Sequence, residues 1–198
     1  SDDEMAVMLA DIDAIKQSGC ADGIVLGALL ANEWGIIGGG MHIAMHAFGK
    51  ITLFFAAGAV MVAAHEKKIS RMHGLGRTMP ITFGAFFVGS LSIIGLPPAG
   101  GSWSKWFLAM GTLEAGQVGL LMVLMLSSLL GLYYLLEVPV KAFFFKPLED
   151  AHHREGIHEA PTASLIAIII TAIMTVGLFV RPDLAFNLMA MVIPGGVQ

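Results

Sequence analysis

Three ionisable side chains recur at helical spacing inside an otherwise apolar stretch of this 198-residue sequence. They are His42, His46 and Lys50, at positions i, i+4 and i+8, so they lie on one face of an α-helix about 6 Å apart along its axis. Histidine exchanges protons near neutral pH, and burial disfavours the charged form of a lysine, so the row suits proton transfer through intervening water. The alternative is that the histidines are hydrogen-bonded core groups and that Lys50 extends to an aqueous interface.

A fourth ionisable residue, Lys105, follows a segment that cannot remain helical. Proline lacks the amide hydrogen that a helix needs, and here two prolines stand next to each other among glycines. The expected interruption comprises Gly95, Pro97, Pro98, Gly100 and Gly101. We expect Lys105 just inside the helix that resumes, where it could join the relay. The alternative is an interfacial lysine between Trp103 and Trp106.

Two polar residues are secondary candidates for the same path. Ser104 directly precedes Lys105, and Glu137 ends a long apolar stretch after Tyr133 and Tyr134. A carboxylate there could terminate a proton path, although a charge beside an aromatic belt at the membrane interface is the favoured interpretation.

Metal and cofactor chemistry find little support. His42 and His46 have the spacing of a zinc-binding HExxH helix, but Ile43 replaces the glutamate and no further ligand lies at that depth. No histidine in another apolar stretch could complete a haem site, and the single cysteine, Cys20, excludes CxxC motifs and disulfides. A loop cluster is interpreted as solvated rather than metal-binding; it contains His152, His153 and His158. We expect no metal and no cofactor.

The composition indicates a membrane protein. Charged residues are 13% of the chain and apolar residues 56%, against about 25% charged residues in soluble domains. Several apolar stretches reach the roughly 18 residues that a bilayer span requires. The net charge of −4 indicates no nucleic-acid partner, and no phosphate-binding loop or nucleophile elbow of a soluble enzyme is present.

The predicted fold is an all-α, polytopic bundle of about five transmembrane spans. The third span is too long to be one regular helix at about 46 Å, so the proline segment makes it a discontinuous helix. We predict a membrane-peripheral segment at 1–18, a transmembrane module at 19–181 and a short tail at 182–198. The predicted spans are 19–30, 34–64, 80–110, 117–137 and 162–180, with a further apolar stretch at 184–193.

The basic loops before the third and fifth spans predict a cytoplasmic position for both. The opposite loops carry Glu33 and Glu114 and no lysine or arginine. We expect an integral protein of a bacterial plasma (inner) membrane.

Three strings carry a family likeness. They are GGMHIAMHAFGK at 39–50 with LFF at 53–55, GLGRTMP at 74–80, and GLPPAGGSWSKWFL at 95–108. They resemble the antiporter-like subunits shared by respiratory complex I and the multi-subunit sodium/proton antiporters. Residues 104–108 look most like the D-type antiporter subunit.

The resemblance implies proton translocation, with Na⁺ as a second candidate ion, in an assembly with other membrane subunits and lipid. By that likeness, His42, His46 and Lys50 take the place of the central relay and Lys105 that of the terminal lysine. The chain matches only the C-terminal of two inverted half-repeats, so we expect part of a longer or split subunit. A cation/proton antiporter is the leading host. The alternatives are the proton-pumping membrane arm of an NADH-quinone oxidoreductase, in which the chain would be a translocase component, and a non-conducting structural fragment.

Overall fold

The computed structural model describes residue 23 and residues 25–147 and 157–192. Within these ranges every regular element is helical, which confirms the predicted all-α membrane bundle. The elements are α1 at residues 25–30, α2 at Glu33–Ala64, a 3-10 turn at Ile69–Arg71, α3 at Leu75–Thr78, α4 at Pro80–Ile94, α5 at Gly101–Glu114, α6 at Val118–Phe144, α7 at Thr162–Val180 and α8 at Asp183–Ala190.

Three of the described helices, α2, α6 and α7, are long and apolar enough to cross a bilayer. Helices α2 and α7 agree closely with the predicted spans. Helix α6 continues past the predicted end at Glu137, because Val138 and Ala142 are buried in a core cluster with Leu75. Of the predicted first span, residues 19–22 and 24 lie outside the described residues.

The predicted third span consists of two shorter helices, which confirms the discontinuous helix. Helices α4 and α5, with 15 and 14 residues, are each a little over 20 Å long, short of the roughly 30 Å of a hydrocarbon core. Both pack along α2, where Ser92 of α4 lies against Gly49 and Leu108 of α5 lies against Gly38. The pair therefore runs antiparallel to α2 as one broken span.

Apolar clusters form at both ends of α2. Val60 packs in a cluster with Phe83 of α4 near one end. Ile37 packs near the other end in a cluster with Leu178 of α7 and Ala185 of α8. The predicted apolar tail therefore contains a helix, α8, that covers part of α2, and the ionisable row occupies the middle of α2.

Asn32 joins the start of α2 to the end of α5. Its side-chain oxygen accepts a hydrogen bond from the Gly35 amide at 2.8 Å, which caps α2. Its side-chain amide donates to the Gly111 carbonyl at 2.8 Å. The two helices meet through glycine at this end, since a Cβ on Gly111 would lie 2.8 Å from the Gly35 nitrogen.

The two basic loops meet at the opposite end of the bundle. The His158 amide donates to the Thr78 carbonyl at 2.9 Å. The Glu159 carboxylate accepts from the Ile81 amide and from the Thr82 hydroxyl, both at 2.6 Å, at the start of α4. The loop before α4 and the loop before α7 thus lie on one side, as their charges predicted.

Candidate functional site

Helix α2 presents its two histidines as a buried pair. His42 and His46 are 5% and 4% exposed. Their rings stack with centroids 4.9 Å apart and planes inclined by 29°. The i, i+4 spacing alone brings the rings into contact, because residues four apart on a helix are neighbours on its surface.

Ser104 of α5 fixes the orientation of the first histidine. The His42 Nδ1 and the Ser104 hydroxyl oxygen are 3.0 Å apart, and both groups are buried. The hydroxyl donates its single hydrogen to the Gly101 carbonyl at 3.0 Å. It therefore accepts from His42, which places a hydrogen on Nδ1 and leaves Nε2 as the nitrogen that gains or loses a proton.

The second histidine, His46, is buried with one ring nitrogen unsatisfied among the described residues. Its Nε2 is buried without a hydrogen-bonding partner in the part of the chain that the structure describes. The imidazole of His46 is within electrostatic range of His42, Lys50 and Lys105. His46 therefore lies near the other three predicted relay residues.

Lys50 lies one helical turn beyond His46 on α2 and is half-buried. A half-buried lysine in the middle of a 32-residue helix is about 20 Å or more from either helix end, farther than the side chain extends. It therefore stays at the depth of the histidines.

Lys105 reaches back across the helix break. Its Nζ donates to the Ile94 carbonyl, the last residue of α4, and to the Ser128 hydroxyl of α6, both at 2.8 Å. Gly95 makes this possible, because its φ of +88° ends α4 and a Cβ there would lie 2.5 Å from the Lys105 side chain.

The broken backbone is supported by α7. The Gly100 amide donates to the Thr175 carbonyl at 3.0 Å, and the Trp103 indole donates to the Phe179 carbonyl at 3.0 Å. Gly101 is buried against the Ser92 carbonyl, so a larger side chain there would collide with α4. An interrupted helix at membrane depth needs partners of this kind for its free amides.

The two secondary candidates, Ser104 and Glu137, lie in different parts of the structure. Ser104 is part of the buried group, whereas Glu137 is partly exposed and pairs with Lys141 on the same helix. Glu137 is also about 13 Å along α6 from Ser128, the residue that contacts Lys105. Of the loop histidines, His152 and His153 lie outside the described residues, and no group of three potential metal ligands occurs among the residues described.

Sequence reasoning missed Ser128. The available signal was the pair Ser127 and Ser128 in the middle of a leucine-rich span, since polar side chains inside membrane helices usually bond to a neighbouring helix.

Residues 18–131 match the family described as NADH:quinone oxidoreductase/Mrp antiporter, TM. The chain belongs to this family. The match spans more than half of the chain and includes α2, the helix break and the first half of α6. The two buried histidines and Lys105 all fall within the matched region.

Individual relatives agree with the family. NADH-quinone oxidoreductase subunit N of Desulforudis audaxviator (strain MP104C) is 36% identical over 168 residues, covering 79% of this chain and 33% of that protein. NADH-quinone oxidoreductase subunit L of Rickettsia bellii (strain RML369-C) is 30% identical over 155 residues, covering 78% of this chain and 24% of that protein. The chain therefore spans a third or less of the length of these relatives.

A solved structure shares the fold. The Mrp complex from Dietzia sp. DQ12-45-1b contains a chain that superimposes with a TM-score of 0.74 at 24% identity, over 84% of this chain and 38% of that one. The chain therefore shares its helical fold with a chain of that complex.

Proposed function

We propose that this chain is a proton-translocating part of an antiporter-like membrane subunit, with His42, His46, Lys50 and Lys105 as its relay. The observation that carries the proposal is the buried contact between His42 and His46, with His42 bonded to Ser104 of α5 beside the helix break. Ionisable groups inside a membrane protein are costly, at least about 2.5 kcal/mol each, and mark ion paths.

In this proposal a proton moves between side chains that compete for charge. A charge on Lys50 or Lys105 disfavours a proton on His46, and loss of that charge favours it. Ser104 keeps His42 in the tautomer whose Nε2 can exchange a proton. Transfer along the row then proceeds through imidazole nitrogens and water.

The relatives supply the setting of the proposal. Their names identify subunits of NADH-quinone oxidoreductase and of an Mrp complex, so we propose partner subunits and a lipid bilayer for this chain as well. We assign it to a bacterial plasma membrane, with the basic loops in the cytoplasm. Protons are the proposed substrate, with Na⁺ as the exchanged cation in an antiporter.

Two hosts remain in the proposal, each with an observation in its favour. The Mrp superposition favours a cation/proton antiporter, and the 36% identity to subunit N favours a quinone oxidoreductase. Purifying the native complex through a tag on this chain separates them. An antiporter acidifies or alkalinises vesicles when a Na⁺ gradient is applied, whereas an oxidoreductase requires an electron donor and a quinone.

The test of translocation is Lys105→Ala in the native complex, reconstituted into liposomes with a pH-sensitive dye inside. We expect loss of proton movement with normal subunit assembly on native gels. Lys146→Ala is the control, since Lys146 is an exposed lysine beyond the end of α6. Full proton movement by an assembled Lys105→Ala complex would refute the relay.

A further inference from the structure

Ser128 is the one side chain of α6 that bonds to Lys105 in the described structure. The Ser128 hydroxyl accepts from the Lys105 Nζ at 2.8 Å and donates to the Leu124 carbonyl, one turn earlier on α6, at 3.1 Å. We infer that Ser128 is a positioning residue that holds the Lys105 amine in both of its protonation states. The inference rests on the proposed function, in which Lys105 gains and loses a proton.

The surroundings of the charged form consist of neutral acceptors. The ammonium donates to the Ile94 carbonyl and the Ser128 oxygen. No carboxylate pairs with Lys105 among the described residues. The Ile94 carbonyl lies at the C-terminal end of α4, where the helix dipole favours a positive charge. The ammonium is therefore held by dipoles rather than by a counter-ion, so loss of its proton leaves no anion behind.

The neutral form needs a different partner. An amine without its extra proton has a lone pair, which a carbonyl cannot satisfy because a carbonyl only accepts. The Ser128 hydroxyl can satisfy it by rotating its hydrogen from the Leu124 carbonyl to the Lys105 Nζ. A serine hydroxyl is both donor and acceptor, so one residue serves both states without movement of α6.

The neighbouring serine provides a matched control. Ser127 precedes Ser128 on the same turn of α6, but it is rotated by about 100° and is exposed. Removal of its hydroxyl changes the composition of α6 equally and leaves the partner of Lys105 in place.

The experiment compares Ser128→Thr with Ser128→Val in the native complex in liposomes. These two replacements have nearly the same shape and differ in the hydroxyl. We expect Ser128→Thr to keep most proton movement, Ser128→Val to slow it about 10-fold or more, and Ser127→Ala to leave it unchanged. Native gels measure the amount of assembled complex to which each rate is normalised.

The outcomes separate this inference from the proposed function. If Lys105→Ala abolishes proton movement but Ser128→Val and Ser128→Thr are equally active, Ser128 has no positioning role while the relay stands. If Lys105→Ala is fully active, the relay itself is wrong. If Ser128→Val fails to assemble while Ser128→Thr assembles, the hydroxyl serves folding rather than transport, and the inference is also overturned.

Discussion

Replacing Gly38 with alanine would test whether close contact between α2 and α5 positions the buried histidines. A Cβ on Gly38 would lie 2.6 Å from the Leu108 amide nitrogen and 3.0 Å from Leu108 Cγ. The first distance falls about 0.8 Å short of the 3.4 Å at which ordinary contact begins. Because the nearest atom is backbone, it cannot move by a change of rotamer, and the helices must separate.

The separation reaches the site within one helical turn. His42 follows Gly38 by one turn of α2, and Ser104 precedes Leu108 by one turn of α5. If the full displacement is transmitted, the 3.0 Å bond between His42 and Ser104 lengthens to about 3.8 Å, which is beyond hydrogen-bond range. Overpacking costs about 1–3 kcal/mol and the lost bond about 1 kcal/mol, while the greater helix propensity of alanine returns up to about 1 kcal/mol. We expect a net destabilisation of about 1–3 kcal/mol and slower proton movement.

The assay is thermal unfolding of the purified complex together with proton movement in liposomes. Gly58→Ala is the matched control in the same helix, because nothing lies within 4 Å of a Cβ at Gly58. Gly84→Ala provides the same control in α4. We expect both controls to leave stability unchanged or to raise it slightly. Equal thermal midpoints for Gly38→Ala and Gly58→Ala would show that α2 and α5 have room for a methyl group at Gly38. That result would refute close packing as the determinant of the histidine positions.

Three further substitutions test other parts of the bundle. Asn32→Asp keeps the cap of α2 but loses the donor to the Gly111 carbonyl, so it should lower stability by about 1 kcal/mol; a thermal midpoint equal to that of the wild type would exclude this bond as a contributor. Glu159→Ala should accelerate hydrogen exchange of the Ile81 amide, measured by mass spectrometry, because that amide loses its acceptor; unchanged exchange would mean that the loop does not cap α4. Glu137→Gln should alter stability by no more than about 0.5 kcal/mol and leave proton movement intact, since partly exposed pairs contribute little; loss of proton movement would place Glu137 in the path.

Local spacing predicted the parts of the site that lie on one helix. The i, i+4 positions of His42 and His46 determine their contact once α2 is helical. A long apolar stretch that crosses a membrane is helical because its backbone groups must bond to one another. The paired prolines 97 and 98 likewise determine that the third span breaks, because neither proline has an amide hydrogen to donate within a helix. These features depend on the chain within a few residues.

Packing between helices decided what the sequence could not. Both Ser127 and Ser128 are compatible with an apolar helix, and the rotation of α6 alone selects Ser128 as the partner of Lys105. The sequence predicts an end of this span at Glu137, because Glu137 is a charge at the end of an apolar run. In the folded chain that charge is paired with Lys141, and Ala142 is buried, so the helix continues.

The position of Lys105 connects charge to the geometry of the break. Its backbone belongs to the second turn of α5, whose N-terminal end repels a positive charge, while its Nζ reaches the C-terminal end of α4, which attracts one. The ammonium therefore links the two half-helices across the interruption. Removing its proton weakens this link by the charge–dipole contribution, about 0.3–1 kcal/mol at an exposed helix end and up to about 2 kcal/mol where partly buried. In the proposed relay, a change of charge at Lys105 therefore alters the attraction between the two half-helices.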